Sequence, residues 1–154
     1  MMEILKKIDW QVLEDYIFNK LIIINKHPEY DIWILNYSKE VQFSRAWDLM
    51  TSSCRGLVID AEGNILARCM KKFMNYEEYD SSEIDWSQDF EVFDKIDGSM
   101  IISFFYKPAS KWIVASRGSF ISEQALEAQK MFDVKFGVLD ELNKNCTYIF
   151  EIIY

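Results

Sequence analysis

Glycine and proline are scarce, five and two residues among 154, which excludes collagen-like, linker-like and intrinsically disordered chains. Histidine occurs once, as His27, so a histidine-based acid/base mechanism has no second member. Cys54, Cys69 and Cys146 are odd in number, far apart and free of any CxxC pair. Neither a disulfide framework nor a zinc site is indicated, and a reducing cytoplasm is the expected compartment. Basic side chains are outnumbered 17 to 25, for a net charge of −8. That excludes a diffuse basic surface for nucleic acid, because neutralising phosphates takes clustered Lys and Arg; any such contact must be local. Long apolar runs are also missing. Leu21 to Ile24 is far too short to span a bilayer, and the lysines of the first seven residues are followed by Asp9, Trp10, Glu14 and Asp15 rather than by a signal-peptide core. No membrane partner is expected.

What the chain does have is apolar residues, half of the total, with 16% aromatics. A domain of this length buries roughly 68 to 70% of its unfolded surface, enough for one core and a single domain over residues 1–154. Asp9 caps a helix in which Trp10, Leu13, Ile17 and Leu21 recur at helical spacing, fading before the Lys26-His27-Pro28 turn. Tyr30 to Leu35 reads as a strand, and after a polar stretch around Trp47 so does Gly56 to Asp60, returned by Ala61-Glu62-Gly63-Asn64 as a hairpin with Ile65 to Met70. Beyond an acidic segment from Glu77 to Asp89 that reads as a solvated loop or a short helix, Phe90 to Phe93 and Met100 to Tyr106 read as strands flanking Asp94 to Ser99. Lys111 to Ser116 follows through the Lys107-Pro108-Ala109-Ser110 turn. Ser122 caps a helix with Ala125, Ala128, Phe132 and Phe136 on one face, continuing toward Leu142, and Thr147 to Tyr154 is a final strand. Hairpin-joined strands with helices between groups of them indicate an α+β fold of antiparallel sheets with flanking helices.

Two residues break the apolar pattern. Glu151 sits amid Tyr148, Ile149, Phe150, Ile152 and Ile153, where an unpaired buried carboxylate would cost several kcal/mol. Strand alternation, which turns every second residue to water, is the bland explanation. Lys95 lies in a tight Asp-Lys-Ile-Asp-Gly-Ser segment in which Gly98 permits a close backbone approach, and a solvated hairpin lysine is the bland explanation there. Taken in order, Arg55-Gly56-Leu57-Val58, Lys71-Lys72-Phe73-Met74-Asn75, Lys95-Ile96-Asp97-Gly98-Ser99, Ser116-Arg117-Gly118-Ser119 and Phe150-Glu151-Ile152-Ile153 resemble the motif series of the lysine-adenylating nucleotidyltransferases. The likeness is greatest to phage-type RNA ligases of the RNA ligase 1 family. Each piece is weak alone; the series in correct order is specific.

The resemblance implies the nucleotidyltransferase adenylation-domain fold and an ATP-dependent RNA ligase with Mg²⁺ or Mn²⁺ as cofactor. Such an enzyme forms a lysyl-AMP intermediate, transfers AMP to an RNA 5′-phosphate and joins that end to a 3′-hydroxyl, in the host or phage-infected cytosol. By the same resemblance Lys95 is the nucleophile, Arg55 and Lys72 bind ATP phosphates, and Glu151 binds the ribose. Arg117 stands where relatives often have lysine and contacts the nucleotide or its phosphate. Gly98 lets the backbone approach the ligand. Asp97 is open between bracing its turn and reaching a metal through water, and Tyr37 between the adenine pocket and the core; no metal ligands are assigned. Relatives continue past the Glu151 strand with a metal-linked glutamate and paired lysines. The sequence stops at Tyr154 before either, so the expectation is the front part of the domain, truncated on its C-terminal side, with an exposed edge, a homo-oligomer contact or a complementing C-terminal segment, and weak or absent activity in isolation. A DNA ligase, a capping-type enzyme and a catalytically silent nucleotide-binding or oligomerisation module are the alternatives.

Overall fold

The computed structural model describes residues 5–80, 84–136 and 142–153. Asp9 caps α1 (Trp10–Phe18) by accepting from the backbone N–H groups of Gln11 and Val12. The helix is shorter than its apolar spacing predicts. Lys20 turns the chain at φ +58°, and the isoleucines after Leu21 enter β1 (Ile22–Lys26), antiparallel to β2 (Ile32–Tyr37). β-Branched residues gain more on a paired, half-buried strand than in a fraying helix end, so pairing overrides the 3.6-residue period. The polar stretch around Trp47 holds two short helices, α2 (Lys39–Ser44) and α3 (Leu49–Ser53). Each starts at a side-chain cap, Ser38 on the Val41 N–H and Asp48 on the Thr51 N–H.

β3 (Arg55–Asp60) and β4 (Ile65–Ala67) form the expected hairpin and complete a four-stranded antiparallel sheet in the order β1-β2-β3-β4. β5 (Ser99–Tyr106) is central to a second antiparallel sheet, between β6 (Lys111–Ser116) and β7 (Tyr148–Ile152). Phe90 to Phe93, expected as a strand, is irregular instead, with Phe90, Val92 and Phe93 69%, 85% and 78% exposed. Both edges of β5 are already taken by β6 and β7, which leaves this run without a ladder to join there.

The two sheets pack face to face. Ile32, Ile34 and Val58 of the first meet Ile102, Phe104, Ile113 and Ala115 of the second. The opposite face of the first sheet is covered by α1 through Leu13 against Ile22, Leu35, Leu57 and Ile59. The outer face of the second is covered by α4 (Glu123–Lys135) through Ala128 and Phe132 against Ile101 and Val114. The result is an α+β sandwich of helix, sheet, sheet and helix, and β3 reads as an unbroken apolar run because it is buried on both sides. Ser122 caps α4 as predicted. The Gln129 amide of α4 accepts from the Val114 N–H and donates to the Trp112 carbonyl, closing the outer edge of β6 to strand addition. The stretch between Phe136 and Leu142 and the last residue of the expected final strand lie outside the described residues. No helix among the described residues is long and apolar enough to cross a membrane.

Candidate active site

β7 alternates. Tyr148, Phe150 and Ile152 are partly buried, while Ile149 and Glu151 are exposed. Phe150 and Ile152 pack on the α4 side, which turns Glu151 the other way, beside its cross-strand partner Met100. The side on which alternation exposes Glu151 is the wall of an open cleft of about 860 Å³. The cleft runs from the start of β3 past the N-terminal end of β5 and the turn after β6. It gathers Arg55, Lys95, Gly98, Arg117 and Glu151. These residues come from four stretches of chain that only the two-sheet packing brings together.

Each is held by local structure. Gly56, at φ +74°, lies against Ile102, so close that a Cβ there would stand 2.2 Å from its Cδ1; this seats the start of β3, and with it Arg55, on β5. Gly98 is pressed onto β7, where a Cβ would lie 2.3 Å from the Ile152 carbonyl oxygen and 3.0 Å from Glu151 Cγ. The loop that carries Lys95 and the strand that carries Glu151 are thus in backbone contact, an approach that only glycine permits. The Ser116-Arg117-Gly118-Ser119 turn closes when the Ser116 N–H donates to the Ser119 carbonyl at 2.9 Å. It is tied to β1 by Asn25 Nδ2, which donates to the Gly118 carbonyl at 2.8 Å. That fixes Arg117, whose guanidinium lies 5.6 Å from the centre of the Tyr37 ring.

Arg55 has unusual company. Its Nη1 donates to Met100 Sδ at 3.2 Å and to Cys69 Sγ at 3.6 Å, and its guanidinium lies 5.5 Å from the Phe73 ring centre. Burial pushes the Cys69 thiol upward, with Arg55 opposing, so the sulfur stays a protonated S–H, and it donates to Met100 Sδ at 3.1 Å. Among the described residues, neither Arg55 nor any other of the cleft's charged groups forms an ion pair. Lys95, Arg55 and Arg117 therefore stand against the single carboxylate of Glu151, a local positive site on an acidic chain.

Lys72, Asp97 and Tyr37 do not line the cleft. The Lys72 ammonium donates to the Phe73 carbonyl at 2.6 Å and sits 6.0 Å from the Trp47 ring. Asp97 is exposed. Tyr37 is a core residue, 5% exposed, with its ring edge-on to Trp47. Phe73, quoted within the Lys71 to Asn75 motif but given no role, lines the cleft together with Asn36 and Met100, and the Asn36 amide oxygen is buried there with no hydrogen-bond partner. No motif marks Asn36 or Met100; their place follows from the tertiary packing. Among the described residues no three His, Cys, Asp or Glu side chains gather as a metal-ligand set, so the side chains present do not make a cation site of their own.

A glycine-dependent loop carrying an exposed lysine against a carboxylate strand, with two arginines beside it, defines a cleft suited to a phosphorylated, hydroxyl-bearing ligand. A family model described as RNA ligase matches residues 53–153, and the chain belongs to this phage-type RNA ligase family. No curated protein matches the chain.

Proposed function

We propose that the chain is an ATP-dependent RNA-joining enzyme acting through a covalent Lys95-AMP intermediate, and that the cleft is where the nucleotide sits. The Lys95 amine attacks the α-phosphorus of ATP. The N–P bond forms as the bond to the pyrophosphate oxygen breaks, and the amine's extra proton passes to solvent. An oxygen of an RNA 5′-phosphate then takes the adenylyl group, breaking the N–P bond and returning the amine. Finally a 3′-hydroxyl attacks that activated phosphate and expels AMP. Arg55 and Arg117 take phosphate oxygens, where guanidinium forks match the geometry and offset charge that builds on the leaving group. Glu151 accepts from the ribose hydroxyls, and Gly98 keeps Lys95 within reach of them. A divalent cation bound with the nucleotide would be held chiefly by its phosphates and would offset their charge.

The observation that carries the reading is the convergence of Lys95, Arg55, Arg117 and Glu151 on one cleft, within a chain of the RNA ligase family. The test is incubation with ATP labelled at the α-phosphate, followed by denaturation. Label is expected to stay on the protein, to map to the peptide containing Lys95, and to vanish in Lys95→Arg, which keeps the charge but offers no neutral amine. Label on another lysine, or undiminished label in the variant, overturns the assignment.

A further inference from the structure

Arginines in folded proteins ordinarily meet carboxylates, and the chain has carboxylates to spare, yet Arg55 has none as an ion-pair partner among the described residues. Its guanidinium is held by Phe73, Met100 and Cys69 instead. A ring face and two neutral sulfurs orient the group without cancelling its charge. The distinction matters for a phosphate binder: a carboxylate would have to be displaced before a phosphate oxygen could bind, whereas a thioether gives way at little cost. Met100 is central to the arrangement. It accepts from Arg55 on one side and from the Cys69 thiol on the other, lines the cleft, and is the cross-strand partner of Glu151. It thereby sets the spacing between the arginine and the carboxylate.

We propose that Met100 is a positioning residue for nucleotide binding: its thioether, braced by Cys69, aims an uncompensated Arg55 at the phosphates of the nucleotide. The inference rests on the reading of Arg55 as a phosphate ligand, and adds that its aim comes from sulfur rather than from an acid. Leucine at position 100 keeps the bulk and apolarity of methionine but removes the acceptor. Glutamine keeps the length and supplies an amide oxygen as acceptor, still without charge.

The test is equilibrium binding of ATP and of adenosine to the full chain carrying Arg55→Ala, Met100→Leu, Met100→Gln, or Arg55→Ala with Met100→Leu, with melting temperatures alongside. Arg55→Ala should weaken ATP roughly 10- to 100-fold, the range for hydrogen bonds to a charged group, and Met100→Leu roughly 3- to 10-fold, the range for one neutral bond. Met100→Gln should bind ATP like the wild type. Adenosine affinity should be unchanged throughout, because it brings no phosphate, and the double variant should be no weaker than Arg55→Ala alone. Wild-type ATP affinity in Arg55→Ala overturns the phosphate-ligand reading and this inference with it. Loss in Arg55→Ala but none in Met100→Leu overturns the role of Met100 alone. So does a Met100→Leu loss that recurs in full in the Arg55→Ala background, or that adenosine shares, since either would show packing rather than aim.

Discussion

Gly98 and Gly118 look interchangeable in the sequence, each sitting next to a proposed ligand-binding residue and followed by serine, but the structure gives them opposite tolerances. An alanine Cβ at position 98 would stand 2.3 Å from the Ile152 carbonyl oxygen, and at position 118 the nearest atom is Asn36 Cβ at 3.7 Å. Ordinary contact needs about 1 Å more than the first distance offers, and the obstacle is strand backbone that cannot rotate away. Gly98→Ala must therefore move the Lys95 loop and β7 apart by about that much. The shift occurs where Ser99 pairs with Ile152, for a stability cost of about 1 to 3 kcal/mol, as in other overpacked sites. A misplacement of about 1 Å between reacting groups costs roughly 10²-fold in rate, so transfer of label from α-labelled ATP should fall by that order. Gly118→Ala should label within about threefold of wild type and melt at the same temperature, consistent with ordinary van der Waals contact. Single-turnover labelling with thermal melts on both variants decides the matter. Wild-type labelling and melting for Gly98→Ala, or equal damage from both substitutions, would refute the argument that backbone contact between loop and strand positions Lys95.

Glu151→Gln should weaken ATP binding by roughly 3- to 30-fold while leaving the melting temperature unchanged, because the carboxylate is exposed and has no ion-pair partner among the described residues; a variant that melts lower yet binds ATP like the wild type would make Glu151 structural. Phe104→Ala, in the layer between the sheets and 2% exposed, should cost about 3 to 5 kcal/mol in chemical denaturation, and a loss under about 1 kcal/mol would show that the layer is loosely packed. Burial raises the Asp48 carboxyl, but hydrogen bonds from Tyr16, Thr51 and the backbone outweigh it and leave the group below its ordinary value. Its stabilisation is thus present above the ordinary carboxylate range and lost as pH falls through the depressed value. Asp48→Asn, which keeps a capping side chain, should flatten the acid limb of melting temperature against pH, and an unchanged limb would place the acid sensitivity elsewhere. The partner hydroxyl of Tyr16 is pushed up to about 12, first by its 2.6 Å bond to Asp48; that contribution is complete below pH 10 and lost as pH rises toward 12, so Tyr16→Phe should flatten the alkaline limb.

Where a local signal and the tertiary environment agree, the sequence is readable. The Asp9 and Ser122 caps, the β3-β4 hairpin, and the strands β5 and β6 all fall where short-range chemistry puts them. Glu151 is a subtler case. The bland expectation, an alternating strand with its carboxylate turned outward, is what β7 does, but outward proves to be the cleft wall. Where pattern and environment conflict, pattern loses. Leu21 continues the helical spacing of α1, yet the helix ends at Phe18 and the next residues, Ile22 to Ile24, pair with β2, and Phe90 to Phe93 have strand composition without a strand. The surroundings of Arg55 were not legible, because Cys69 and Phe73 reach it from the stretch after β4 and Met100 from β5, and no pattern in the sequence joins those two stretches to Arg55. Nor does any spacing tell that Gly98 meets strand backbone while Gly118 has only ordinary contact with the Asn36 side chain.

The acidity of the chain and the proposed binding of ATP and RNA are reconciled by distribution rather than by amount. The net charge is −8, but ion pairs among the described residues join Lys26 to Asp31, Arg45 to Glu78, Lys111 to Glu29 and Lys130 to Glu127, all away from the cleft. The cations of the cleft are left to a ligand. Low-dielectric walls concentrate the field of such a group, and a polyanion feels the nearest few charges more than the distant total, since at physiological salt the screening length is about 8 Å. Arg55 shows how the fold protects that local excess: it spends a ring face and two sulfurs, not a carboxylate, on holding the guanidinium. On the proposed reading, an acidic exterior limits indiscriminate adhesion to nucleic acid, and productive contact is confined to phosphates that reach the cleft.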